Sequence, residues 1–210
     1  YVALVDAGDA VQGAPIGKLS GGEAVVRMMN AAGYDFAIPG NHEFDYGMER
    51  FWQLNKKLKS GYYSANFEDL RTKKLALPAY KMLQFGDTKV AFVGATTPVT
   101  LISSTPAFFQ DGQGNYLYGF NEDETGRKLY KALQKSINAA RENGADYVFL
   151  VGHLGLNGSI EYWNCENVAA NTRGVDAIID GHSHEIIQGK HVKNYVGKDV
   201  LIAQTGTKLK

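Results

Sequence analysis

Four of the five histidines in this chain stand in short polar turns flanked by glycine. His42 lies in Pro39-Gly40-Asn41-His42-Glu43-Phe44-Asp45, His153 follows Gly152, and His182 and His184 belong to Gly181-His182-Ser183-His184. A fourth turn, Gly8-Asp9, adds a carboxylate. Imidazole nitrogens, carboxylate oxygens and an amide carbonyl form a donor set for a divalent transition ion; Mn, Zn, Fe, Co and Ni are all compatible with it. Asp9 has two oxygens and could bridge two ions. Two ions about 3.5–4 Å apart can hold a hydroxide nucleophile and clamp the oxygens of a phosphoryl group. The indicated chemistry is hydrolysis of a phosphate ester.

Each residue also has a plainer reading. Asp9 could be a turn or helix-capping residue. Asp45 could cap the helix that follows it. Asn41 could hold a left-handed turn, and His153 could be a hydrogen-bonded histidine at a strand end. The four turns occurring together in one chain favour a shared site. Their glycines allow tight backbone turns and leave room for ions and substrate.

The elements that must position these turns alternate between strand and helix. Tyr1 to Val5 reads as a buried strand, its apolar run Val2–Val5 ending at Asp6-Ala7-Gly8-Asp9. Ser20-Gly21-Gly22-Glu23 has the form of a capping box. Val25, Met28, Met29 and Ala32 then recur at helical spacing up to Gly33. Ala37-Ile38 is a brief strand before the Asn41 turn, and Met48, Phe51, Trp52 and Leu58 mark the next helix. Residues 62–66 suggest another short strand, and 79–85 with 89–94 a hairpin about Gly86-Asp87. Residues 100–123 read as a long surface loop pinned by aromatic residues.

Leu129, Leu133, Ile137 and Ala140 give a long amphipathic helix stopped by Gly144. Strands are expected over 147–151, 175–179 and 200–203, and a helix over 158–171. His191 falls in a lysine-rich stretch and reads as a surface residue. This order is that of one α/β domain. Each polar turn follows a strand, and in open α/β sheets sites gather at the carboxyl ends of strands.

Bulk composition narrows the partners. Twenty-two basic and 22 acidic residues cancel, which leaves no electrostatic footprint for a nucleic acid polymer or an anionic membrane. A small anionic substrate stays compatible, because a bound ion adds charge of its own. No apolar run approaches the roughly 18 residues of a membrane span. The single cysteine, Cys165, cannot form an internal disulfide. It sits among polar residues with no evident base, so a covalent cysteine intermediate is not expected.

The motif set Gly8-Asp9, Gly40-Asn41-His42-Glu43, Gly152-His153 and Gly181-His182-Ser183-His184 resembles that of calcineurin-like metallophosphatases. Pro39 to Asp45 looks like the branch of 5′-nucleotidases and 2′,3′-cyclic-nucleotide phosphodiesterases/3′-nucleotidases. The resemblance runs from Val2 to Thr207. It implies a four-layer αββα sandwich and hydrolysis of nucleotide phosphate esters by a metal-bound hydroxide. It also implies two divalent ions in the intact protein, a nucleotide substrate, and a periplasmic, secreted or cell-surface location. By the same resemblance Asp9 is the bridging ligand; Asn41, His153 and His182 complete one ion's set. His184 serves the other ion, His42 is the catalytic histidine, and Asp45 orients it. Glu43 matches no ligand and is expected to be structural.

Two departures qualify the expectation. The family's opening Asp-x-His motif would lie ahead of Tyr1, so residues 1–210 read as a catalytic-domain fragment without its first strand, holding one ion or none. By the same resemblance, the C-terminal nucleotide-binding domain of the branch is expected to lie outside residues 1–210. Two other readings stay open. One is a metal-binding or interaction module without turnover, and the other is hydrolysis of a sulfur–sulfur bond by the same fold.

Overall fold

The structure is a computed structural model that describes residues 1–157 and 160–207. Strand β1 (Val5–Asp6) leads to helices α1 (Pro15–Ser20) and α2 (Glu23–Ala32), strand β2 (Phe36–Ala37) and helix α3 (Met48–Lys57). Short strands β3 (Glu68–Asp69) and β4 (Lys74–Leu75) precede the hairpin of β5 (Tyr80–Phe85) and β6 (Thr88–Thr96). Then come α4 (Thr100–Ser103), β7 (Tyr118–Gly119), α5 (Arg127–Glu142), β8 (Tyr147–His153) and α6 (Cys165–Asn171). Strands β9 (Ala177–Asp180), β10 (Ile186–Lys193) and β11 (Asp199–Thr205) end the described chain.

The main sheet has the order β10-β11-β9-β8-β6-β5. Its four inner strands are parallel, and β5 and β10 run antiparallel at the edges. Inner strands covered on both sides need continuous apolar runs, and β6 supplies one in Val90–Val93. Three cores separate four layers. The first lies between α5, α6 and the sheet, where Leu129, Leu133, Ile137 and Ala140 meet Ala91, Val93, Val148 and Leu150. The second lies between the sheet and the parallel pair β1–β2, around Phe36, Ile38, Phe92 and Val151. The third packs Val26, Met29, Phe51 and Leu54 of α2 and α3 on the far side of that pair. This is the expected αββα arrangement.

Several local expectations are corrected. Only Val5 and Asp6 of the opening run form a strand, and Tyr1 and Val2 are almost fully exposed. The capping box does not form. Ser20 closes α1, the helix the pattern reading passed over, and bonds back to Ile16 O at 2.7 Å. Gly22 is the N-cap of α2, while Glu23 turns to Arg50 and Lys57. Helix α2 buries Val26 and Met29, leaving Met28 half exposed.

Residues 62–66 form no continuous strand. Tyr62 makes a single bridge to Ala37, and Asn66 fastens the segment through its side chain to Thr96 and Phe120. The loop at 100–123 contains α4 and β7, and its Phe109 and Phe120 are fully buried core rather than surface pins. Cys165 is fully buried in the first core, with the Asp180 carboxyl against its thiol; burial pushes that thiol well up. His191 is exposed, but it lies on strand β10, where polar and apolar residues do not alternate cleanly. Residues 158 and 159 of the expected 158–171 helix lie outside the described residues; the helix itself spans Cys165–Asn171.

Candidate metal centre

All four polar turns follow strand ends on one side of the molecule. Asp9 comes after β1 and Asn41-His42 after β2; these strands are parallel, with Val5 beside Phe36. His153 is the last residue of β8, and His182 follows the parallel neighbour β9. Five non-glycine residues among those described have positive φ, and three are Asp9 (64°), His182 (78°) and His184 (59°). Aspartate and histidine tolerate this region better than most residues, and such backbone tends to concentrate at functional sites. Gly40 allows the closest approach. A Cβ there would overlap Asp9 Oδ1 and stand 2.8 Å from His153 Cε1.

Three side chains converge. His153 Nε2 lies 3.0 Å from Asp9 Oδ2 and 3.3 Å from His182 Nδ1. One ligand atom from each of Asp9, His153 and His182 can be chosen so that all lie within 4.8 Å of one another. His153 Nδ1 stands 2.6 Å from Ala7 O, a contact that calls for the proton on Nδ1 and presents Nε2 to the cluster. Asn41 is 4% exposed, and its Oδ1 has no hydrogen-bond partner. An orphaned buried carbonyl costs stability unless something satisfies it. A carboxylate, two facing imidazole nitrogens and this oxygen together suit a cation. The residues present therefore fit one divalent ion.

His42 and His184 stand apart from the trio. The His42 backbone N donates to Asp9 Oδ1 at 2.8 Å, and its Nδ1 lies 2.6 Å from Asp45 Oδ2. Asp45 does not cap α3, whose N-cap is Gly47. Asn41 has φ −74° and holds no left-handed turn. His184 is exposed beside the cluster.

Glu43 takes the structural role expected of it, and its bonds were not legible beforehand. It is 1% exposed and accepts from the backbone N of Asp9 (2.7 Å), Gly40 (2.7 Å) and Val11 (3.2 Å). One carboxylate thus ties the Asp9 turn to the Asn41 turn. Asp180 was missed as well. It is buried beside His182, accepts from Leu154 N at 2.9 Å behind His153, and has the Cys165 thiol against it. The only sequence signal for either was a carboxylate directly against an apolar residue, Phe44 or Ile179.

The electrostatics of this cluster predict a pH dependence. Burial pushes Glu43 up to about 7 and both Asp6 and Asp180 up to about 6. Burial alone would lower His153, but the Asp9 carboxylate prevails and lifts it to about 9. In all four groups the folded chain holds its proton more tightly than the unfolded chain. Their contribution is complete below the unfolded values and is lost as pH rises through the folded ones. Burial lowers His182 to about 4 from 6.5, so His182 opposes folding only below that upper value. The chain in excess chelator is therefore expected to melt at a lower temperature at pH 9 than at pH 6. An equal or higher melting temperature at pH 9 would contradict these assignments.

Comparison with known proteins bears on this geometry. The family described as calcineurin-like phosphoesterase matches residues 1–185. The 2′,3′-cyclic-nucleotide 2′-phosphodiesterase/3′-nucleotidase of Salmonella typhimurium is 27% identical over 94% of this chain and 32% of its own length. A snake venom 5′-nucleotidase of Gloydius brevicauda is 31% identical over 89% of this chain and 29% of its own. The sulfate thiohydrolase SoxB of Thermus thermophilus superposes with a TM-score of 0.77 at 27% identity, over 98% of this chain and 34% of its own. The chain spans about a third of the length of the curated relatives it matches.

Proposed function

The chain belongs to the calcineurin-like phosphoesterase family, and from that premise we propose that it carries the metal centre of a nucleotide phosphoesterase. The observation that carries the reading is the convergence of Asp9, His153 and His182, with the buried, unpartnered Oδ1 of Asn41 in the turn that adjoins Asp9. Asp9, Asn41, His153 and His182 would hold one divalent ion, with Asp9 and His184 contributing to a second. Bound ions would supply Lewis-acid stabilisation of the phosphoryl oxygens and activation of water.

The chain's own residues do the rest. Glu43 holds the Asp9 and Asn41 turns in register. Asp45 engages Nδ1 of His42 and leaves Nε2 as the atom available to substrate. Burial works against the imidazolium of His42, but the hydrogen bond it donates to Asp45 and the nearby charges of Asp9, Asp45 and Glu43 together outweigh burial and raise its pKa. Imidazolium is the form that can donate to a phosphoryl oxygen or to the leaving ester oxygen as the P–O bond breaks.

A nucleotide substrate is supported by the printed activities of the Salmonella and Gloydius relatives. Action outside the cytoplasm belongs to the same reading, and the venom relative supports it. No helix among the described residues is long and apolar enough to cross a membrane. The likeness to a sulfate thiohydrolase supports a second reading, hydrolysis at sulfur.

The deciding experiment is an assay of a 5′-nucleotide, a 3′-nucleotide, a 2′,3′-cyclic nucleotide, a nucleoside diphosphate sugar and a sulfate–thiol conjugate. Each is tested with Mn2+, Co2+, Zn2+ or chelator. The proposal expects release of phosphate from at least one nucleotide, abolished by chelator and restored by metal. Turnover of the sulfur substrate alone would favour the second reading. Metal uptake with no turnover of any substrate would favour a binding module.

A further inference from the structure

The turn carrying His182 and His184 has an unusual task. Strand β11 lies between β9 and β10 in the sheet, so the connection from β9 to β10 must pass over the carboxyl end of β11. Neighbouring strands lie about 4.8 Å apart, so this crossing covers about 10 Å. It does so in the residues Gly181–Glu185, with both histidines at positive φ. Backbone of that kind persists only where the surroundings hold it.

Gln204 sits directly beneath. It pairs in register with Asp180 on one side and Ile187 on the other, the two flanks of the crossing. It is 2% exposed. Its Nε2 donates to Gly181 O and to Ser183 Oγ, both at 3.2 Å, and its Oε1 accepts from Glu185 N at 2.8 Å. One carboxamide thus grips the first, middle and last residues of the crossing. Ser183 Oγ also donates to Glu185 Oε2 and accepts from Leu156 N, which joins the turn to the segment after His153. A methionine of similar length would fill the space and make none of these bonds.

We infer that Gln204 is a positioning residue for the metal centre, holding the Gly181–Glu185 crossing so that His182 faces Asp9 and His153. The inference rests on the metal-centre reading for the use to which His182 is put. Its three hydrogen bonds to the crossing do not depend on that reading. Groups that orient metal ligands typically cost about 10- to 100-fold in metal affinity when removed.

The test uses Q204M, Q204E and a stability control, I137V, which thins the core beside Gly174, at the end of β9 away from the crossing. Co2+ affinity is titrated through the visible absorption of the bound ion, and amide exchange at Glu185 is followed in the metal-free chain. Q204M is expected to bind Co2+ about 10- to 100-fold more weakly and to lose protection at Glu185. Q204E keeps the acceptor for Glu185 N, and a smaller loss is expected; it serves if Q204M fails to fold. I137V is expected to leave both readouts unchanged. Wild-type affinity in Q204M, or equal weakening in I137V, would overturn the inference. If the wild-type chain takes up no Co2+, the metal-centre reading falls instead, and unchanged Glu185 protection in the Gln204 variants would then refute the role of Gln204.

Discussion

Asparagine in place of Asp9 is expected to weaken divalent-metal binding by more than about 100-fold, beyond the usual cost of losing an outer-sphere partner. The substitution is nearly isosteric, and asparagine tolerates the left-handed φ of 64° at this position, so the backbone should survive. The negative charge is what disappears. Asp9 Oδ2 stands 3.0 Å from His153 Nε2, while Oδ1 accepts from His42 N. Burial works against ionisation of Asp9, yet His153 prevails and holds the carboxylate at about 2. A negative charge at this position is thus stabilised by its surroundings. Removing the charge leaves two imidazoles and a carbonyl oxygen, which bind a hard divalent ion poorly. Calorimetric titration with Mn2+ and elemental analysis of the purified chain check the expectation. A D9N chain that retained wild-type metal content would sink the assignment of Asp9.

Alanine in place of His42 should act on rate and leave metal alone. Its ring bonds to Asp45 at 2.6 Å and is about two-fifths exposed, outside the trio of converging ligand atoms. A general acid or charge-stabilising group of this kind contributes about 100- to 10,000-fold. H42A is therefore expected to lose turnover by that factor while its metal affinity stays within the range of the unaltered chain. D45N should lose less, because the imidazole remains but its orienting charge is gone. The discriminating measurement is kcat beside metal affinity in the same preparations. Unchanged turnover in H42A would remove the histidine from the chemistry, and parallel loss of metal would make it a ligand.

The turns that make up the candidate site were legible in the sequence. Asp9, Asn41, His153 and His182 each follow a strand end beside a glycine. Short apolar runs ending in polar residues survive in any local context, so the alternation and its turns could be read directly. The amphipathic spacing of Leu129, Leu133, Ile137 and Ala140 likewise determined the face that α5 buries. The family resemblance rested on these same local motifs.

What the sequence could not disclose depends on partners distant in the chain. Ser20 and Glu23 had the form of a capping box, but Glu23 found better partners in Arg50 and Lys57, some thirty residues away. Phe109 and Phe120 sat in a stretch with loop composition and were drawn into the core by Phe44 and Phe67. Glu43 and Gln204 carry no local signal of their roles, since their hydrogen bonds reach Asp9 across 34 positions and Gly181 across 23. By itself the sequence determined which residue types were available to bind a cation and which strands would end beside them. Only the tertiary structure decided which buried carboxylate would tie two turns together and which strand would run beneath the histidine crossing. Such contacts arise when separate elements pack, and no periodicity within either element encodes them.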